Sequence, residues 1–228
     1  MKNKAYQAVC FDLDGVLIDS MPLHAQAWQM AGKPFGLRIS KRFIYAHEGE
    51  QGSKTARILF AKKSKGSANR ASQLLQAKEK HFRKLARRIK THGELVKSLV
   101  WLKKHKIPMA LVTGTSWGEV RRVVAKRILS QFQTIITGDR IRQGKPDPEP
   151  YQAAFRSLAI APSQAIVIEN APYGIRSARL ARSGLVLAFA SSLPKNYLHE
   201  AHWVGHSAHR VAEHLKGVII AGLSKKEA

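Results

Sequence analysis

Five short apolar runs, each bounded by turn-forming or polar residues, punctuate the chain: YQAVCF, PMALVT, TIIT, AIVIE and LVLAFA. Runs of this length are strand-sized, and helical spacing fills the segments between the later ones. The pattern therefore predicts a parallel sheet with helices packed on its faces. A WVG triplet around Val204 reads as a short final strand. One region breaks the alternation. From about Met21 to Lys90 nothing reads as a strand, and several helices are expected, the longest from about Asn69 to Lys90. Within it Leu75, Phe82, Leu85 and Ile89 share one stripe and the basic residues largely occupy the rest, as in a helix that packs one face. KKSKGSANR, at its start, reads as a solvated loop. The predicted fold class is α/β, a Rossmann-like doubly wound parallel sheet. Residues 1–18 and 92–228 form this core, and residues 19–91 form an all-helical insertion after the first strand.

A chain of 228 residues with 44% hydrophobic residues can bury such a core. Its single cysteine, Cys10, lies in an apolar run and reads as a small buried strand residue, so no disulfide framework is available. The first apolar run is cut by Asp12 and Asp14 with no small-residue cleavage site behind it, and no run reaches the length of a membrane span. These features predict a cytoplasmic protein with no membrane partner. The formal charge is +24, and between Gln51 and Gly118 the only acids are Glu79 and Glu94. Such a field draws phosphate-bearing partners and speeds their encounter. No aromatic residues interleave with these charges as a base-stacking platform, which argues against nucleic acid and for a small anionic substrate.

Against this basic background, FDLDGVLIDS packs Asp12, Asp14 and Asp19 close together. In a parallel sheet ligands collect beyond the carboxyl ends of the strands. Asp12 closes the first strand at that edge, and Gly15 lets the backbone swing away after Asp14. Clustered carboxylates raise one another's pKa unless a cation intervenes; oxygen-only ligands make Mg²⁺ the natural one. Three further pieces belong with them. ALVTGTS ends a strand at Thr113, where hydroxyls and the amides of Gly114 and Thr115 can hold phosphate oxygens. QGKPDPEP sets Lys145 ahead of a helix beginning near Pro148 or Pro150, placed to neutralise a carboxylate and a phosphoryl group. AIVIENAPYG delivers Glu169 and Asn170 to another strand end.

In this order the four pieces resemble the four motifs of the haloacid dehalogenase superfamily, over about Ala5 to Val204. The resemblance implies a Mg²⁺-dependent phosphatase with a helical cap. It makes Asp12 the nucleophile and Asp14 the general acid/base, which also lends its backbone carbonyl to the metal. Thr113 and Gly114, with Thr115, would hold phosphate, and Lys145 would balance charge. Asp12, Asp14, Glu169 and Asn170 would form the metal site. His24, ten residues after Asp14, matches a cap histidine of the subfamily that includes β-phosphoglucomutase, with Ala27 and Trp28 just behind. Asn170 departs from the family's usual Asp, an amide that can ligate but brings no charge. A mutase reading meets a gap: aligned on Gly49, the expected cap arginine falls near Gly52, leaving Lys54, Arg57 or Lys84 as substitutes. A non-catalytic, polyanion-binding use of the fold is the rival of another class. Asp19 is expected to cap the first inserted helix or fix the hinge. Trp117 is expected to pack a helix start. The cluster His199, His202, His206 and His209 is read as scattered by the WVG strand rather than as a metal site.

Overall fold

The structure is a computed structural model that describes residues 6–60 and 67–223. Six strands form one parallel sheet: β1 (Ala8–Phe11), β2 (Met109–Val112), β3 (Thr134–Ile136), β4 (Ala165–Glu169), β5 (Leu185–Phe189) and β6 (Trp203–Gly205). Their order is β3-β2-β1-β4-β5-β6, so the winding direction reverses beside β1. That reversal opens a crevice at the carboxyl end of β1, where ligands of doubly wound sheets bind. The expected α/β core is present, and each of the six predicted runs contributes a strand.

The insertion comprises α1 (Met21–Gly32), α2 (Lys41–Ala46), α3 (Gly52–Phe60) and α4 (Ser67–Leu85). The remaining helices flank the sheet: α5 (Gly93–Lys104), α6 (Trp117–Val123), α7 (Lys126–Leu129), α8 (Glu149–Ser157), α9 (Pro172–Leu180) and α10 (Ala208–Leu223). Successive strand side chains point to opposite faces. Val9, Phe11, Leu111, Ile166 and Ile168 pack on one face against residues of α5 and α10 such as Leu99 and Leu215. Cys10, Ala110, Val112 and Val167 pack on the other against Tyr151, Phe155 and Ile175 of α8 and α9. Cys10 is fully buried there. Each large apolar side chain so buried contributes roughly 1.5–3 kcal/mol. The inserted helices have their own core, around Trp28, Ile44, Phe60 and Leu74. Ser40 starts α2 by accepting the Phe43 N–H at 3.1 Å, an N-cap hydrogen bond.

Two expectations need correction. The long helix stops as an α-helix at Leu85 and tightens into a 3-10 turn over Ala86–Arg88, after which Ile89 is extended. The reason is tertiary. Residues 90–92 pair with the departing chain: Asp19 N–H donates to the Lys90 carbonyl (2.8 Å) and His92 N–H to the Leu17 carbonyl (2.9 Å), with Ile18 bridged to Thr91. Its stripe also differs, since Ala71, Leu74, Lys78 and Phe82 are buried while Leu75, Leu85 and Ile89 are only partly so. Second, Asp19 does not cap α1. Ser20 occupies the N-cap position, and its hydroxyl turns to Asp14 instead. Asp19 serves the hinge through its backbone. Of the expected KKSKGSANR loop, positions 62–66 lie outside the described residues, and Ser67 already opens α4.

Candidate active site

The crevice beside β1 gathers side chains from three strand ends and one loop. Asp12 follows β1, Thr113 follows β2, Glu169 ends β4, and Lys145 enters from the segment before α8. All four are at least 98% buried. Lys145 Nζ donates to Asp12 Oδ1 at 2.6 Å, to Glu169 Oε1 at 2.6 Å and to the Val112 carbonyl at 3.2 Å. Glu169 is held further: Oε1 accepts the Tyr151 hydroxyl at 2.6 Å, and Oε2 accepts the Asn170 backbone N–H at 3.0 Å. Burial alone would depress the Lys145 ammonium, but the two carboxylates raise it above the ordinary lysine value. A buried lysine bracketed by two acids stays charged because each removed hydration contact is replaced by an ionic hydrogen bond.

Asp14 sits in a different environment. Its Oδ1 accepts the Ser20 hydroxyl at 2.5 Å and faces His24 Nε2 at 3.0 Å; its Oδ2 accepts the Thr115 hydroxyl at 2.8 Å and the Thr113 hydroxyl at 3.4 Å. Thr115 N–H donates in turn to Thr113 Oγ1 at 3.1 Å. Burial works against ionising Asp14, yet His24, Ser20 and Thr115 together hold its carboxyl below the usual carboxylate range. Asp12 shifts the opposite way, pushed up to about 8 by burial against the pull of Lys145. Two carboxyls two residues apart thus have separated proton affinities.

The metal site can be tested on the polar atoms left over. Asp12 Oδ2 and both side-chain atoms of Asn170 are buried with no hydrogen-bond partner among the described residues. Buried polar atoms are normally paired; of these, the Asp12 carboxylate oxygen and the Asn170 amide oxygen are donors that suit a hard cation, and the Asn170 amide nitrogen is not. Gly15 makes room for this arrangement: its φ is +83°, and a Cβ there would strike the Asn170 amide. The Glu169 oxygens are committed to Lys145, Tyr151 and the Asn170 amide. Among the described residues no group of three His, Cys, Asp or Glu side chains forms a metal cluster. The donor set at Asp12 relies instead on an amide. His202, from the C-terminal histidine cluster, accepts the Val186 N–H and pairs with Arg179, a role in the sheet.

Above the crevice lies a cavity of about 270 Å³, roofed by the inserted helices and opening beside Asp14 through His24, Gly114 and Thr115. Such a volume suits a small metabolite rather than a polymer. Gly49 brings the roof onto the floor: at φ +81° its backbone lies so close that a Cβ would sit 2.6 Å from Lys145 Cδ. Trp28, Glu48, Glu50 and Glu79 line the cavity with Glu119 of α6, and Lys78 is the only Lys or Arg among the lining residues. Its ammonium lies over the rings of Phe82 (5.0 Å) and Trp28 (5.8 Å). Phe82 also stacks on His24 at 3.9 Å. Gly52 lines the cavity, but Lys54 pairs with Glu50 at 3.2 Å, and Arg57 and Lys84 are exposed and outside it. Trp117 stays out of the lining too, carrying Arg121 and Arg140 over its ring. Sequence reasoning missed Ser20, Lys78, Glu48, Glu119 and Tyr151. Tyr151 reads as one more apolar core residue, and Lys78 is one lysine among many on a basic helix.

Comparison with known proteins agrees with this geometry. The profile of the haloacid dehalogenase-like hydrolases matches residues 6–182. The chain belongs to that family. As a haloacid dehalogenase-like hydrolase it is an enzyme, and the family's α/β fold is the one observed. Hexitol phosphatase A of Escherichia coli is 29% identical over 201 residues, covering 88% of this chain and 91% of that protein. A phosphorylated carbohydrates phosphatase of Thermotoga maritima is 29% identical over 180 residues, covering 77% and 81%. A solved structure from Bacteroides vulgatus, provisionally described as a β-phosphoglucomutase, superposes with a TM-score of 0.83 at 28% identity, covering 96% and 91%. No helix among the described residues is long and apolar enough to cross a membrane.

Proposed function

We propose that the chain is a Mg²⁺-dependent phosphatase of small phosphorylated metabolites, working through a phosphoaspartyl intermediate on Asp12, with residues 19–91 as its cap. The observation that carries this reading is the asymmetry of Asp12: Oδ1 is pinned by Lys145, while Oδ2 is buried and without a partner among the described residues. The named carbohydrate and hexitol phosphatases among the relatives support the substrate class.

Asp12 Oδ2, the Asp14 backbone carbonyl and Asn170 Oδ1 would hold the metal, with Glu169 fixing Lys145 and the Asn170 backbone from behind. When bound, Mg²⁺ draws negative charge from the phosphoryl oxygens and from Asp12, which favours the ionised carboxylate despite burial. Asp12 then attacks phosphorus in line, and the bond from phosphorus to the ester oxygen breaks. The departing oxygen takes a proton from Asp14. In the second half Asp14 receives a proton from water, whose oxygen attacks phosphorus and releases Asp12 and inorganic phosphate. The hydrogen bonds from Ser20 and Thr115 and the contact with His24 hold Asp14 ionised, the form suited to that second half; the negative charge of a bound phosphoryl group raises its affinity for the proton it carries into the first half. The Thr113 hydroxyl and the Gly114 amide would serve the phosphoryl oxygens, and Lys145 offsets charge on the nucleophile.

The test is a screen of phosphate release across sugar, polyol and glycolate phosphates, with and without Mg²⁺. Asp12→Asn is expected to lower kcat by about a thousandfold or more while leaving thermal unfolding almost unchanged. Turnover of that variant within tenfold of the parent would refute the nucleophile. The mutase reading draws on His24 beside Asp14. It also requires the cavity to grip a second phosphate, and Lys78 is the single cation offered for that.

A further inference from the structure

The inserted helices meet the core at a seam across the cavity as well as at the hinge. Gln51 stands just before α3, and its carbonyl accepts the Lys54 and Thr55 N–H groups at 2.9 and 3.1 Å. A Ser, Thr, Asp or Asn at such a position turns its short side chain back to the helix N–H groups. A glutamine reaches further. The Gln51 side chain crosses to the core, where Nε2 donates to the Gly138 carbonyl at 3.2 Å and to the Ile141 carbonyl at 3.3 Å. Two carbonyls that face one group call for two hydrogens, and a primary amide supplies both. Glycines let the seam close: a Cβ at Gly144 would lie 2.7 Å from Gln51 Cγ, and one at Gly114 would lie 2.7 Å from the Gly49 carbonyl oxygen. The core side of the seam is held independently, since the Arg142 and Gln143 N–H groups donate to the Glu149 carboxylate at 2.8 Å each. Gly138 also faces the site. Its N–H donates to the Thr115 carbonyl at 3.2 Å, while the Thr115 N–H and hydroxyl reach Thr113 Oγ1 and Asp14 Oδ2. Gln51 is thus joined, through the two polar groups of Gly138, to the turn that would hold the phosphoryl group.

We infer that Gln51 is a positioning residue: its amide clasps the inserted helices onto residues 138–144 and, through Gly138, sets the phosphate turn at 113–115. This rests on the phosphatase reading above, which gives that turn its role. Gln51 and Gly138 both line the cavity, so the bond between them closes one wall of the space the substrate fills. Roofing the cavity and bracing the turn are then one event. A contact that assembles the phosphate-binding groups only when the roof is down ties turnover to the exclusion of water. The donors matter more than the bulk, because an apolar side chain of the same length leaves the Gly138 and Ile141 carbonyls without them.

The test compares the parent with Gln51→Met, which keeps the length and loses both donors, and with Gln51→Glu, which keeps the shape and sets oxygens against the two carbonyls. Urea titration first establishes that each variant is folded under the assay conditions. For the best phosphoester of the screen, with Mg²⁺ present, kcat/KM per folded molecule is expected to fall about tenfold in Gln51→Met and to fall in Gln51→Glu as well. A glutamine that served stability alone would leave that ratio unchanged. Amide chemical shifts read the coupling without turnover: in both variants Gly114 and Thr115 should move together with Gly138 and Ile141, while the amides of β5 and β6 stay in place. A kcat/KM for Gln51→Met within about twofold of the parent's, or shifts confined to residues 138–144 and the neighbours of Gln51, overturns the inference and leaves the phosphatase reading standing. If the parent hydrolyses no phosphoester, that reading is what fails. The shifts then decide the inference by themselves: movement at Gly114 and Thr115 supports it, and its absence overturns it.

Discussion

The crevice floor at the sheet edge and the walls of the cavity above it handle charge in opposite ways. On the floor, at the sheet edge, Lys145 answers Asp12 and Glu169 at 2.6 Å each, Tyr151 answers Glu169 again, and Asp14 is met by Ser20, His24 and Thr115. Among the described residues the atoms left open there include two oxygens a cation would take, Asp12 Oδ2 and Asn170 Oδ1. In the cavity walls Glu119 has an oxygen with no hydrogen-bond partner among the described residues, and Lys78 lies over aromatic rings. A closed set of partners fixes geometry before the substrate arrives, as transition-state electrostatics requires. An incomplete set keeps a buried carboxyl at a cost in stability instead.

This contrast can be broken by removing one group at a time. Lys145→Met should have the largest effect, destabilising the fold by about 3–5 kcal/mol because two buried carboxylates lose their cation, and urea denaturation would measure it. A loss under 1 kcal/mol would mean that the floor is not a matched set. Tyr151→Phe keeps the ring and removes one hydrogen bond to an ionised Glu169, so a loss of roughly 1.5–3 kcal/mol is expected in the same assay. Asn170→Asp adds charge at the open position, and Mg²⁺ binding followed by calorimetry should tighten about tenfold. Unchanged affinity would take residue 170 out of the metal's contacts. The smallest effect belongs to the upper wall. Burial raises the Glu119 carboxyl above its ordinary 4.5, with Lys78 opposing. The folded protein therefore holds that proton more tightly than the unfolded chain does, and stability falls as pH rises from the unfolded value through the folded one. Glu119→Gln should flatten that fall and gain up to about 1 kcal/mol near neutrality, a sign opposite to that of the floor substitutions.

Most of the floor was legible in the sequence because it obeys local rules. Asp12, Thr113 and Glu169 stand where apolar runs end, and a parallel sheet brings such ends to one edge whatever the intervening residues are. Lys145 could be placed only by its company in the motif, since a lysine before a proline has no local signature. The upper walls were not legible. Lys78 and Glu79 are adjacent on α4, and which of the charged residues on a basic helix turns inward depends on how α4 lies against α1. Glu48 and Glu50 sit in a turn whose direction is set by Gly49 and its contact with Lys145. The misjudged end of α4 has the same origin: helix propensity favours continuing through Arg87, and pairing with Leu17 and Asp19 overrides it.

That pairing has a consequence for how such a molecule can change. The excursion from Ile18 to Thr91 departs and returns through neighbouring backbone positions, bridged to each other. The sheet therefore senses a fixed gap of roughly 5 Å between two chain ends, while the site also feels Ser20 and His24 at Asp14 and Gly49 against Lys145. Roofs can be traded like interchangeable heads on one tool handle, with the cutting edge left in register, provided that each new piece closes on the same short splice and keeps those contacts.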